Sequence, residues 1–468
     1  MATRSATDRQ AATEPSSVAS APTRAFADWI ASTPAEAVDD RALRWARHCL
    51  MDWIGVTVAG AHDPLVAILL DEALADGGTG DVPAVGLTAC LRPSDAVLVN
   101  GAAGHALDFD DVNRTMHGHP TVAVLPAVLT AAAVDGRTLE DALRSFVIGY
   151  EVACRVGDMT GDGHYDTGWH ATATVGTFGA AAGVCHLLGL DAGRTAHALG
   201  LATTLAAGLK SQFGTMGKPL HAGRAAQSGM KAARWAARGF ISRPDGLECV
   251  QGFWDTQAPD AEPSDMNRMP GTPFLIETNL FKFHAACYMT HSAIEANRTL
   301  RNRHGFEPSE VRKVRLKVSD ASLRMCNIPE PETGLQVKFS LRHTAALALA
   351  GHNTGAIESF TDAVANDPGL VDLRRLVEVE PVKMDRSERS RAEVIVELAD
   401  GRILHEAHDV GVPATDLEDQ EAKLSEKFAA LIVPLLGPDK AEAIRRTALT
   451  GTDSAPRDLL KATQPDRH

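Results

Sequence analysis

Between Asn100 and Pro120 the chain reads NGAAGHALDFDDVNRTMHGHP, and its chemistry concentrates there. Up to Ala106 the residues are small and mostly apolar, as in a tightly packed helix. Asp108, Asp110 and Asp111 then arrive with His117 and His119 within a dozen residues. Burying so many ionisable groups is costly unless they face a cavity and bind something. The stretch is therefore expected to form one wall of an active site. Aspartates two and three apart on a helix share part of a face, which suits Mg²⁺ or a polar ligand, although a solvated helix end would look the same. His117 and His119 could ligate a metal, but no third Cys, His or Glu sits at ligand spacing, so no metal is expected. Proton transfer is the more natural role for a histidine, whose ordinary pKa lies near working pH.

Other candidates are weaker one by one. Trp169-His170 precedes a helix start, where N–H groups and the dipole attract anions, although a lone His there also serves as a cap. Lys218, in the loop Ser211–His221, is a candidate anion binder against a background of merely solvated lysines. Lys282 stands between Phe281 and Phe283, where apolar neighbours lower its pKa or aim it into a cleft. A diphosphate-binding helix of the isoprenoid-synthase type would need a second acidic cluster on a facing helix, and Asp39-Asp40 has the wrong context for it.

The elements that must hold these groups are mostly helices. Three-and-four spacing is strong over Pro34–Gly60, and helices fit Pro64–Ala75, a stretch from near Ser94, Thr121–Val134 and Leu139–Val156. Gly161–His170 reads as a polar loop. Small-residue helices follow it to Gly189 and over Ala192–Gly208, and another runs over Ala222–Arg238. No convincing strand precedes Phe253. After a Pro/Asp/Met-rich linker at Ala258–Pro273 the character changes. Tyr288–Arg303 reads as helix, Val311–Ser319 alternates apolar with basic residues, and Val337–Leu341 is a short strand candidate before a helix at Thr344–Ala350. Leu376–Lys383 and Ala392–Leu398 alternate too, and Asp400-Gly401 turns the chain into Ile403–Ala407. Helical patterns return over Leu417–Leu436 and Pro438–Leu449.

These readings predict a mainly α protein in two domains. A large all-helical domain takes residues 25–277 and 411–452, a smaller α+β domain takes 278–410, and the ends are a disordered leader (1–24) and a flexible tail (453–468). The formal charge of −14 and the absence of a Lys/Arg-rich run argue against nucleic acid. Seven scattered Cys without a CxxC pair read as free thiols of a reducing compartment. No run approaches ~18 apolar residues, so no membrane span is expected. The leader lacks an apolar core, which points to a cytoplasmic protein.

Taken in order, NGAAGHALDFDD…HGHP, GYEVACRVG, GWHATATVGTFGAAAG, GKPLHAGRAAQSGMKAA, the Lys282 junction and KFSLRHTAALAL resemble the MmgE/PrpD family from about Ala25 to Gly451. The resemblance implies the two-domain fold with the α+β part as a lid, a homodimer, and no metal or organic cofactor. Members include 2-methylcitrate dehydratase, cis-aconitate decarboxylase and iminodisuccinate epimerase. Carried over by motif, Asp108, His119, His170, Lys218 and Lys282 would be catalytic, with His117, Lys218, Lys282 and Cys287 on the substrate. Two positions depart from the decarboxylases: Cys287 replaces their histidine five residues after the junction lysine, and Leu323 stands where they carry a tyrosine. The three chemistries share a carbanion next to a carboxylate. The expected function is thus a lyase acting on a small di- or tricarboxylate, most simply a 2-methylcitrate-dehydratase-like hydro-lyase. An isomerase or epimerase is the first alternative, and a cis-aconitate-type decarboxylase or a non-catalytic binding protein comes after it. In the expected mechanism Lys218 and Lys282 grip substrate carboxylates, one from each domain, while His119 and His170 exchange protons.

Overall fold

A computed structural model describes residues 21–258, 261, 270–385 and 388–466. The first part is helical: α1 (Pro22–Ser32), α2 (Asp40–Gly60), α3 (Pro64–Ala75), α4 (Pro93–Ala106), α5 (Pro120–Asp135), α6 (Leu139–Asp166), α7 (Ala171–Leu187), α8 (Ala192–Leu205), α9 (Gly217–Ala237) and a short α10 (Phe253–Gln257). Between α3 and α4 lies a two-stranded ribbon, β1 (Thr79–Pro83) with β2 (Cys90–Leu91), which the sequence pattern does not announce because its paired residues are few and a register shift interrupts them. The α7 sequence, rich in Ala and Gly and uncharged until His186, is buried almost throughout, and α5, α6, α8 and α9 pack around it. Small side chains let these helices approach closely, which is why an aromatic-poor chain still fills its core.

The second part opens with α11 (Tyr288–His304). It continues through β3 (Val311–Ser319), α12 (Asp320–Cys326), α13 (Gly334–Val337), α14 (Leu341–Ala350), α15 (Asp362–Ala365), α16 (Pro368–Arg375), β4 (Val377–Val382), β5 (Arg391–Leu398) and β6 (Ile403–Asp409). The sheet order is β4-β3-β5-β6, with β3 and β4 parallel and the remaining pairs antiparallel. Val314, Leu316 and Val318 put the apolar face of β3 inward, as the alternation predicts, and α11 and α14 pack against the sheet. The chain then returns: α17 (Leu417–Leu436) and α18 (Pro438–Thr450) pack on α2. The result is a mainly α, two-domain fold with a small sheet in the C-terminal domain.

Several expectations are corrected. Val337–Leu341 is not a strand: Thr333 caps α13, Ser340 caps α14, and side-chain capping wins over a short apolar alternation. Gly161–His170 is not all loop, because α6 continues to Asp166 past a kink at Gly161, whose φ of 63° only glycine adopts readily. The tail is not loose throughout: α19 (Pro456–Ala462) buries Leu459 and Leu460 beside α5, so two leucines in a polar stretch suffice to dock it. Up to position 20 the expected leader lies outside the described residues, as does most of the expected linker, but Pro22–Arg24, expected in the leader, form the start of α1, where Pro22 and Thr23 are buried. Among the described residues no single helix is long and apolar enough to cross a membrane.

Candidate active site

The last turn of α4 ends at Ala106, and Asp108 follows with a left-handed φ of 50°. A non-glycine residue there costs about 1 kcal/mol, which the surroundings must offset. They do so with two ammonium groups. Lys218 Nζ donates to Asp108 Oδ1 at 2.7 Å, and Lys282 Nζ donates to the same oxygen at 2.8 Å and to the Asp108 carbonyl at 2.7 Å. Burial alone would raise the Asp108 carboxyl, but Lys218 and Lys282 hold it well below the usual carboxylate range. Burial likewise disfavours the Lys282 ammonium, and Asp108 outweighs that and raises it. Asp108 is therefore a fixed anion, poorly suited to carrying protons.

Three packing features deliver the lysines. Helices α4 and α9 cross where Gly101 and Gly223 meet: a Cβ on Gly223 would lie 2.3 Å from the Leu98 carbonyl oxygen. Glycine at this crossing lets α9 bring Lys218, in its first turn, to the end of α4. Lys218 is not in the loop that the sequence pattern predicts: α9 starts at Gly217, and Pro219 is tolerated because it stands in the first helical turn. For Lys282, Val112 and Leu280 pair as an antiparallel bridge with both N–H···O distances 2.9 Å. The junction is held by the GYE motif: Tyr150 donates to Asn279, Asn279 donates to Asp111 at 2.8 Å, and Glu151 accepts from the Leu275 N–H at 2.6 Å.

Asp110 serves two imidazoles. His105 Nδ1 lies 2.8 Å from Asp110 Oδ1 and His119 Nδ1 lies 3.0 Å from Oδ2, with the two rings 4.5 Å apart. Burial raises Asp110, yet the two histidines pull it well below its ordinary value. His119 is lowered to about 4, chiefly by burial, so it is a neutral base at pH 7. Its backbone N–H donates to Thr172 Oγ1 at 3.1 Å, which pins the His117–His119 loop to the start of α7. His170 is also held neutral, well below its ordinary value, by burial and by Lys218. It lies 3.0 Å from His221 through their Nδ1 atoms and edge-on to Phe213.

A cavity of about 470 Å³ opens in front of these groups. His117, His119, His170, Lys218 and Cys287 line it, together with Phe213 and Phe339 and with Met325 and Arg389 from the α+β part. Asp108 and Lys282 are not among the lining residues, and Lys282 has no exposed surface at all. All seven expected residues thus gather at one place, five on the wall and two behind it. The expected two-lysine grip on substrate is corrected in one half: Lys282 is spent on Asp108. His117, with φ 57°, stands 3.7 Å from Asp162, another residue of the cavity wall.

Sequence reasoning missed His105, although it stands five residues before Asp110 at the end of an apolar helix. It also missed Lys338 of the KFS stretch, a buried lysine lowered to about 8 mainly by desolvation, whose Nζ donates to the Leu107 carbonyl. The absence of a third metal ligand is corrected too. His105, Asp108, Asp110 and His119 bring ligand atoms within 4.8 Å of one another, and these four could hold an ion. Lys218 and Lys282 already balance the two carboxylates, so a divalent cation would meet a site with no net negative charge to offset. Most tellingly, His119, His170 and Cys287 are the N-cap residues of α5, α7 and α11, and none of them makes a side-chain cap bond. Lys218 is in the first turn of α9, so four helix N-termini meet at the cavity.

The chain matches the MmgE/PrpD N-terminal domain over residues 24–265 and the MmgE/PrpD C-terminal domain over residues 284–450. Among similar proteins, a cis-aconitate decarboxylase of Mus musculus is 26% identical over 90% of this chain and 89% of its own. One from Aspergillus terreus is 26% identical over 81% and 83%, and one from Homo sapiens is 28% identical over 76% of each chain. With both domains matched in order and the motif residues gathered around one cavity, the protein belongs to the MmgE/PrpD family of lyase-type enzymes.

Proposed function

We propose that the chain is a lyase acting on a small di- or tricarboxylate, most simply a hydro-lyase of the 2-methylcitrate-dehydratase kind. The observation that carries this reading is the meeting of four helix N-termini and the Lys218 ammonium at a cavity that also holds two neutral imidazoles. Helix N-termini and an ammonium favour an anionic ligand. Neutral imidazoles are ready to take a proton at pH 7.

In this mechanism a substrate carboxylate lies against Lys218 and the helix starts. His119 or His170 removes the proton next to it. The enediolate that forms carries more charge on the carboxylate oxygens, and preorganised cations stabilise it in a site closed to water. Asp110 orients His119, and Asp108, held by Lys282, fixes Lys218. Wall residues from the α+β part, Phe339 and Arg389 among them, enclose the substrate when the lid is closed. The homodimer that the resemblance implies belongs to the same proposal, and light scattering in solution tests it.

A second reading, decarboxylation of an unsaturated tricarboxylate, is favoured by the names of the relatives. Against it stands Cys287 on the cavity wall, where the decarboxylases carry histidine. A panel of hydroxy- and unsaturated polycarboxylates separates the readings. A new ultraviolet-absorbing alkene without CO₂ supports the dehydratase, and CO₂ release supports the decarboxylase. Solvent deuterium entering unchanged substrate supports an epimerase. Tight binding with no turnover of any panel member would leave a binding protein.

A further inference from the structure

Cys287 is half-buried on the cavity wall beside the groups described above. It is the N-cap of α11, a helix of 17 residues, and makes no side-chain cap bond there. Unsatisfied N–H groups and the helix dipole at such a position favour a thiolate. Its own N–H donates to the Lys338 carbonyl at 3.0 Å and its carbonyl accepts from Thr290, so the backbone is fixed and the residue is held on the cavity wall.

Three groups around the sulfur push the same way. The first cause that lowers the Cys287 thiol is its neighbour Cys326, the buried last residue of α12. The ammoniums of Lys282 and Lys218 add to the effect, while burial and Asp108 oppose it, and the thiol settles at about 7. His119 and His170 are both held neutral. They can accept a proton at neutral pH but have none beyond the neutral ring to give. A hydro-lyase needs an acid as well as a base, because hydroxide is a poor leaving group.

We propose that Cys287 is a catalytic residue of this site, the thiol that protonates the departing hydroxyl while His119 or His170 takes the carbon-bound proton. The inference rests on the lyase reading above. The balance is complete: the C–H bond breaks as N–H forms, the C–O bond breaks as the S–H proton forms the second O–H of water, and the electron pair closes the alkene. The imidazolium then returns its proton to the thiolate, and the enzyme is restored.

Two measurements on the full chain test it. Alkylation of Cys287 by iodoacetamide, followed by peptide mass spectrometry across pH, should show a midpoint near 7, against about 8.5 for an ordinary thiol. Cys326→Ala should move that midpoint upward. In turnover, Cys287→Ser should lose about 10²–10⁴-fold in kcat, the usual worth of one acid–base group. Cys287→His, which restores a group that titrates near neutrality, should recover at least part of that loss. The basic limb of the parent's pH profile should fall through the alkylation midpoint and move with it in Cys326→Ala. A parent that turns over a polycarboxylate beside an equally active Cys287→Ser, or an alkylation midpoint at the ordinary value, overturns the role of Cys287 alone. A parent inert towards every polycarboxylate overturns the lyase reading and this role together.

Discussion

Lys282 donates to both the side-chain Oδ1 and the carbonyl oxygen of Asp108, at 2.8 and 2.7 Å, and is itself completely buried. The residue at the junction between the two parts of the fold is thus bonded to the end of α4, not to the cavity. Asp108 in turn holds Lys218, which does reach the cavity. Closure of the fold and placement of the substrate-facing ammonium are the same event.

Replacing Lys282 by Met keeps the volume but leaves a buried carboxylate with one ammonium instead of two. Breaking a buried pair costs about 3–5 kcal/mol, so Lys282→Met should lower the unfolding free energy by up to that amount. The sign with pH follows from Asp108. Its depressed folded pKa contributes stability above the unfolded value of about 3.9, and that stability disappears as pH falls through the folded value. The gap between parent and variant in urea unfolding should therefore be widest near neutrality and narrow below about pH 4. An equal gap at both pH values would contradict the pairing.

The longer elements were largely legible in the sequence because long periodic or small-residue runs leave little choice: the helices α3 and α17 and the strand β3 follow the pattern to the residue. The short elements were not, since α12, α13 and the β1–β2 ribbon depend on caps and tertiary neighbours. The site was legible as a set of motif residues but not as a hierarchy. Sequence spacing cannot reveal that Lys282 points into the core and Lys218 into the cavity, because the Val112–Leu280 bridge and the Gly101–Gly223 crossing decide it. His105 was hidden for a related reason. A histidine in an apolar helix reads as packing until a carboxylate five residues later folds back beneath it.

His119 and His105 should separate as base and positioner. His119→Gln removes the proton acceptor and should cost about 10²–10⁴-fold in kcat. His105→Asn acts only through Asp110 and the His119 ring, and a displacement of that ring by ~1 Å costs about 10²-fold. The His105 variant should keep its KM. An equal loss in KM and kcat for His105→Asn would mean that it touches substrate.

Stability should fall between neutral and mildly acid pH. His119, His164, His221 and His343 are each lowered to about 4, with burial as the first cause. The unfolded chain titrates them near 6.5, so between those values it binds more protons than the native state and acid favours unfolding. Asp111 works the other way. Burial raises it to about 7, so the native state holds a proton there that the unfolded chain releases. His48, His170, His186, His284 and His291 are lowered as well, and Asp52 and Glu151 are raised by burial as Asp111 is, so nine histidines against three carboxylates among the described residues leave a net loss, with each uncompensated proton worth about 1.4 kcal/mol per pH unit. Urea midpoints should drop from pH 7 to pH 5, and more steeply in Asp111→Asn. A midpoint that held or rose would show that the histidines are not buried neutral.

Lys218 tests the anion-binding end of the cavity. Its ammonium contacts substrate in the ground state and meets greater charge in the enediolate, so it contributes to binding and more strongly to the chemical step. Lys218→Met should therefore raise KM and also lower kcat, in contrast to His119→Gln, which should act mainly on kcat. Lys218→Arg should not restore activity, because a planar fork of donors cannot replace a compact, buried ammonium that reaches one oxygen of Asp108 at 2.7 Å. Steady-state kinetics on whichever polycarboxylate is turned over, with folding checked by circular dichroism, separates these outcomes. A Lys218→Met enzyme with unchanged KM would place the substrate carboxylate elsewhere in the cavity.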